Sequence, residues 1–215
     1  MRLALVLIVS LLLLSGCGGG DDDTTESVAT GGDECASVDA PEARDPEQRR
    51  APSEPLDASK TYTLTFDTSC GSFTITLDPQ LAPKTTASLV ALANAGYFDD
   101  TIFHRVVPGF VIQGGDPTQS GAGGPGYSTV DVPPSDAAYT QGVVAMAKSQ
   151  VEAPGTSGSQ FFVVTGEDAG LPPEYAIVGE VKDGMDTVLR IDALGVGDGA
   201  PSQPVVVSGV TVGES

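Results

Sequence analysis

Short apolar–polar alternations dominate the chain from residue 61 onward, and they restrict it to a fold built mainly of strands. Tyr62-Thr63-Leu64-Thr65-Phe66 carries a large apolar side chain at every second position, and Phe73-Thr74-Ile75-Thr76-Leu77 does the same. Such runs bury one face of a strand and wet the other. Residues 67–72, with Gly71, supply the turn, so the pair reads as a half-buried hairpin. Further short strands are expected near 103–107, 110–114, 143–147, 160–164 and 176–181, with a last one over 205–212. Pro83 opens a helix over 84–95 with Leu89, Leu92 and Ala93 on its apolar stripe, and Gly96 ends it. A second helix is expected over residues 185–192. Many short strands and few helices make a barrel or sandwich.

The first 60 residues read differently. Met1-Arg2 precedes an apolar run over 3–14, too short to span a bilayer and suited to the core of an export signal. It ends in Leu14-Ser15-Gly16-Cys17, which resembles the bacterial lipobox. Residues 1–17 are therefore expected to be a lipoprotein signal. Cys17 would be the lipidated residue, anchoring the protein to the cell membrane on its outer, extracytoplasmic side. Residues 18–60 are rich in Gly, Asp, Glu, Pro and Ala, with almost no large apolar residue, and read as a flexible acidic linker to a domain over 61–215. Cys35 and Cys70 remain; an even pair in an exported chain suggests a disulfide, the alternative being two free thiols.

Several chemistries are excluded. Lys+Arg 10 against Asp+Glu 29 gives a net charge of -19, which repels nucleic acid. The run 121–126 matches a dinucleotide-binding glycine pattern, but it contains Pro125 and opens no helix, so it reads as a surface loop. The single histidine, His104, has no cysteines at zinc-ligand spacing and no nucleophile elbow, and is expected to be structural. No metal and no cofactor is expected.

What remains is the stretch Phe103-His104-Arg105-Val106-Val107-Pro108-Gly109-Phe110-Val111-Ile112-Gln113-Gly114-Gly115-Asp116. Arg105 stands among apolar and amide side chains with no acid in the ten residues after it. It is expected to lack an acidic partner, the competing reading being a surface salt bridge. A free guanidinium beside apolar side chains suits a groove that holds a neutral peptide group. The stretch is similar to a signature of the cyclophilins, and the reaction this resemblance implies, rotation about an X-Pro bond, must break C–N resonance against a barrier of ~18–20 kcal/mol. In the twisted state the prolyl nitrogen regains a lone pair, and a fixed guanidinium donor stabilises that state over both planar ones. No nucleophile, base or metal is needed.

This stretch resembles the signature of the cyclophilins, the peptidyl-prolyl cis/trans isomerases, and Gly158-Ser159-Gln160-Phe161-Phe162-Val163 resembles their second signature. Leu81-Ala82-Pro83-Lys84-Thr85, residues 142–147 and residues 177–181 extend the likeness over most of 61–213. The resemblance implies a closed eight-stranded antiparallel barrel capped by two helices, with its groove on the outside. It implies that Arg105 is catalytic, and that Gln113 bonds the substrate backbone. Phe110, Met146, Phe162 and Leu171 would form the proline pocket, and Ala147 and Gln160 would line the groove. Gly170 stands where tryptophan is common in the family, Tyr175 replaces a frequent groove histidine and Lys148 a common asparagine. The expected partners are proline-containing segments of exported polypeptides, met by a monomer. The rival reading is a binding module that recognises such segments with negligible turnover.

Overall fold

A computed structural model describes residues 34–215. Cys17 and the rest of the first 33 residues lie outside this range. The strands are β1 (Tyr62–Thr68), β2 (Gly71–Leu77), β3 (Thr101–Ile102), β4 (Arg105–Val107), β5 (Val111–Gly114), β6 (Thr129–Val130), β7 (Val143–Met146), β8 (Thr156–Ser157), β9 (Phe161–Val164), β10 (Ile177–Asp183) and β11 (Val206–Glu214). Helix α1 (Pro83–Asn94) follows β2, and α2 (Met185–Asp192) follows β10.

Nine strands form one strongly curled antiparallel sheet in the order β3-β11-β1-β2-β10-β7-β9-β5-β4, with β6 and β8 pairing apart from it. The expected closed eight-stranded barrel is thus corrected on both counts. The strand expected over 103–107 starts only at Arg105, as β4; Phe103 and His104 lie outside any strand, and the two-residue β3 precedes them. β3 pairs with β11 and β4 with β5, but β3 and β4 form no ladder with each other, so the sheet's two edges meet through the chain alone. Phe103 sends its N–H to Val205 O and Val106 its own to Gly199 O, which draws the backbone out of a continuous ladder.

Alternation sorts the side chains into two apolar clusters. Inside the curl, Phe66 lies 5.1 Å from both Phe73 and Phe161, and Phe98 and Phe103 pack around Phe161. Val106, Ile112, Val144, Met146 and Val163 join this core. Their chain neighbours Val111, Val143, Ala145, Phe162 and Val164 face outward and form the second cluster with Tyr139.

Both helices support this frame. Leu89, Leu92 and Ala93 of α1 are buried as expected. Its first turn takes a cap from a distant residue: Asp131 accepts the Thr85 N–H at 2.7 Å and the Thr85 hydroxyl at 2.7 Å, satisfying a donor that helix geometry leaves open. Before α2, Gly184 has φ +76, and a Cβ there would sit 2.4 Å from Ser72 O, so only glycine makes this entry. At the far end, Asp192 accepts the Gly109 N–H and the Thr165 hydroxyl, tying α2 to the β4–β5 turn.

Residues 34–60, expected as part of a flexible linker, lie along the domain. Cys35 and Cys70 are joined, Sγ to Sγ at 2.04 Å, and Ala36 donates to Ser69 O at 2.7 Å. Arg44 and Arg49 donate backbone N–H groups to Pro117 O and Pro125 O, and both guanidinium groups lie over the Tyr97 ring, at 5.7 and 5.1 Å. Glu47 pairs with both arginines. A few polar anchors and two cation–π contacts replace the apolar burial that the segment lacks.

Candidate active site

The sheet register builds the site. Arg105 on β4 is paired with Gln113 on β5, Gln113 with Phe162 on β9, and Phe162 with Ala145 on β7. Because side chains at paired positions share a face, Arg105, Gln113 and Phe162 form one row on the outside of the curl. Phe110 enters from the β4–β5 turn held by Asp192, and Leu171 and Tyr175 come from the connection before β10. Arg105, Phe110, Val111, Gln113, Ala147, Lys148, Phe162, Leu171 and Tyr175 enclose a cavity of about 250 Å³. Its walls are mostly aromatic and aliphatic, with Arg105 and Gln113 on one side.

The aromatic wall is tied from behind. Tyr139, buried, donates its hydroxyl to Tyr175 O at 2.8 Å and accepts the Tyr175 N–H at 3.0 Å. The Tyr175 ring stands edge-on to Phe162 at 5.7 Å. The polar side is a relay of amides: Arg105 Nη1 donates to Gln113 Oε1 at 3.3 Å, Gln113 Nε2 to Gln160 Oε1 at 3.0 Å, and Gln160 Nε2 to Gly123 O at 3.0 Å. Each amide is held at both ends, so Gln113 reaches the cavity with a fixed orientation. His104 sits behind this relay, and burial pushes its pKa down; the Asp116 charge opposes this, and the Arg105 charge adds to it.

The expected residues Arg105, Phe110, Gln113, Ala147, Phe162, Leu171 and Tyr175 meet in this cavity. Gln160 lines an adjoining hollow of about 490 Å³ that shares Gln113, Ala147 and Lys148 with it. Met146 is a correction. It is fully buried in the inner core, because its neighbours Ala145 and Ala147 take the outward positions of the alternation. Val111 supplies the wall in its place; its signal was its position two residues before Gln113, on the same face of β5. Lys148 was noted only as a departure, yet it stands between the two hollows. Its side chain is 2% exposed, with Nζ 3.0 Å from Glu174 and 5.3 Å from the Tyr175 ring centre.

Arg105 also departs from expectation. It does have an acidic partner: Asp198, brought from beyond α2, accepts from Nε at 2.5 Å and from Nη2 at 3.0 Å. The local sequence around Arg105 could not show a carboxylate 93 positions away. The pair does not withdraw the arginine from the cavity, which it still lines.

The loop after β5 walls the larger hollow and is organised on Asp116. That carboxylate accepts from the Thr118 N–H and hydroxyl, each at 2.8 Å, and from the Gly121 and Gly123 N–H groups at 2.7 and 3.1 Å. Burial alone would raise its pKa, but these bonds outweigh it and hold the group below the ordinary value of 3.8. A depressed carboxylate contributes stability that is fully present above its unfolded pKa and lost as pH falls through the folded one. Urea unfolding of the wild type should therefore show stability falling below about pH 4. Asp116→Asn should cost about 2 kcal/mol at neutral pH, the scale of hydrogen bonds to a charged group, and flatten that acid limb. An unchanged acid limb in the variant would count against Asp116 as its source.

A family model for "Cyclophilin type peptidyl-prolyl cis-trans isomerase/CLD" matches residues 63–212. A peptidyl-prolyl cis-trans isomerase-like 1 from Emericella nidulans is 42% identical over 132 residues, covering 60% of this chain and 80% of that protein. A probable peptidyl-prolyl cis-trans isomerase A from Mycobacterium leprae is 37% identical over 170 residues, covering 70% and 91%. Among solved structures, a Cryptosporidium parvum cyclophilin superposes with a TM-score of 0.65 at 30% identity, covering 71% of this chain and 98% of that one. The same parasite protein was also crystallised in the presence of the dipeptide Ala-Pro. With its sheet, its outward-facing groove and these relatives in agreement, the chain belongs to the cyclophilin-type peptidyl-prolyl cis–trans isomerases.

Proposed function

We propose that this isomerase turns X-Pro bonds in exported polypeptides, with the proline ring in the cavity of Phe110, Val111, Phe162 and Leu171 and the twisted imide facing Arg105. The carrying observation is the row Arg105–Gln113–Phe162 across β4, β5 and β9. It sets a cation, an amide and an aromatic ring side by side on one face, the set that a rotating prolyl imide needs. The apolar walls hold the ring while the acyl side turns. Gln113, held through Gln160, serves the peptide backbone next to the proline. Arg105 keeps two of its five N–H groups after Asp198 takes two and Gln113 one, and those two serve the prolyl nitrogen and its neighbouring carbonyl. An NMR exchange or protease-coupled assay on a prolyl peptide tests this, and rates equal to the uncatalysed ones would leave a binding module instead.

The same reading places the protein outside the cytoplasm, held by lipid on Cys17. Its support is the residue pattern 3–17 together with the Cys35–Cys70 pair, which an oxidising compartment preserves. Growth of the native host with a labelled fatty acid should label the wild type and not Cys17→Ala. Equal labelling of both would reject the anchor.

A further inference from the structure

We propose that Asp198 is a positioning residue for catalysis: it grips one edge of the Arg105 guanidinium and so aims the free N–H groups at the substrate. The inference rests on the catalytic reading of Arg105. It starts from how the loop between α2 and β11 is built. Ser202 donates to Leu194 O at 2.8 Å and closes the loop at its base. Val106 donates to Gly199 O at 2.7 Å and pins the tip to β4. Gly195 lies so close to Pro108 that a Cβ there would sit 2.7 Å from the ring. In the antiparallel bridge between Val106 and Gly199, Arg105 stands opposite Ala200 and Asp198 opposite Val107, so the two side chains share one face and the long arginine reaches Asp198 on the diagonal.

The contact has the geometry of an orienting clamp. Both Asp198 oxygens engage the Nε–Nη2 edge, while Gln113 Oε1 engages Nη1. A planar, five-donor group held on two sides has its plane fixed, which a single contact does not achieve. Catalytic donors lose much of their effect when misplaced by about 1 Å, so a fixed plane has kinetic value. Opposing this, a carboxylate beside the guanidinium lowers its positive potential. The Asp198 side chain is 67% exposed, however, and water and salt screen an exposed charge over distance far more than they loosen a direct contact. Positioning therefore outweighs attenuation, and removing Asp198 lowers the rate instead of raising it. Hydrogen bonding to Arg105 also keeps Asp198 below the ordinary carboxylate range, so the clamp stays ionised across neutral pH.

The test measures kcat and KM for a prolyl peptide with the full chain, at low and high salt, for the wild type, Asp198→Ala, Asp198→Glu, Arg105→Ala and the double variant. Asp198→Ala should lose about threefold to fivefold in kcat with KM within a factor of about two, the scale that an exposed ion pair supports. Asp198→Glu should recover most of the loss. High salt should leave the ratio of wild type to Asp198→Ala nearly unchanged, because a direct contact resists screening. On the Arg105→Ala background, removing Asp198 should change nothing. Activity in Asp198→Ala equal to or above wild type, or a loss that persists without Arg105, would overturn the proposal. Full activity in Arg105→Ala would instead sink the catalytic reading beneath it.

Discussion

Arg105→Ala is expected to lower kcat/KM for a prolyl peptide by about a hundredfold or more, the range seen when a transition-state donor is removed. The unfolding midpoint should hardly move. The two expectations separate because Arg105 lies outside the core: it stands on the outer face of β4, and its ion pair with Asp198 is open to solvent. An exposed pair contributes at most about 1 kcal/mol to stability. Its kinetic effect is expected to be larger because Gln113 and Asp198 orient it beside the aromatic wall, so little reorganisation would be needed when the imide twists. A five-decade acceleration requires about 7 kcal/mol from the whole site. A hundredfold loss assigns somewhat under half of that to one side chain, leaving the remainder to ring burial and backbone contacts. Arg105→Lys separates charge from geometry: it keeps the cation and loses the fork that Gln113 and Asp198 hold, and should recover only a small part of the activity. A rate within twofold of wild type in Arg105→Ala would show that the groove works by ring desolvation alone.

How far the site was legible in the chain depended on the range of each interaction. Arg105, Gln113 and Phe162 were readable because they stand in the two stretches, 103–116 and 158–163, that resemble the cyclophilin signatures, and strand pairing sets them side by side. Met146 was carried over from the same resemblance and misread, because its strand offered no check. A strand buried on both faces gives no polar–apolar alternation, and all four residues of β7 are buried, so nothing local distinguished its inward from its outward side chains. The Asp198 contact spans 93 residues and depends on a single backbone bridge between a loop residue, Gly199, and an edge strand. No composition or periodicity encodes that. That the strand expected over 103–107 starts only at Arg105 escaped notice because Phe103 and His104 are as strand-like as their neighbours; Phe103 bonds to Val205 instead. Residues 34–60 were the reverse case. Their composition is that of a segment too poor in apolar residues to order itself, and it remains so. Their order comes from outside the segment, from Tyr97, Pro117, Pro125 and Cys70.

That dependence makes residues 34–60, a strap along the domain, the place where one covalent change should have the largest effect on stability. Reduction of Cys35–Cys70, or Cys35→Ser, is expected to cost about 2–4 kcal/mol, since the bond closes a loop long enough to restrict the unfolded chain strongly. The sequence separation is 35 residues. Cys35→Ser is the cleaner variant, because Cys70 is buried in the inner core and its replacement would disturb packing there. Without the bond, the strap keeps the Ala36–Ser69 and Gln119–Pro41 hydrogen bonds, the arginines on Tyr97, two backbone bonds to the loop after β5 and the half-buried Leu56. Each such contact is worth about 1 kcal/mol or less, against an ordering cost of about 1–2 kcal/mol for every residue fixed. The strap should therefore detach locally while the curled sheet stays folded. Trypsin reports this directly. Arg44, Arg49 and Arg50 lie within the strap, and cleavage there should be slow in the oxidised protein and fast after reduction or in Cys35→Ser. Turnover of a short prolyl peptide should be unchanged, because no strap residue lines the proline cavity. Adding reductant to Cys35→Ser should change neither readout. Equal trypsin sensitivity in oxidised and reduced protein would mean that the polar anchors hold the strap unaided, and that the bond acts only on the unfolded chain.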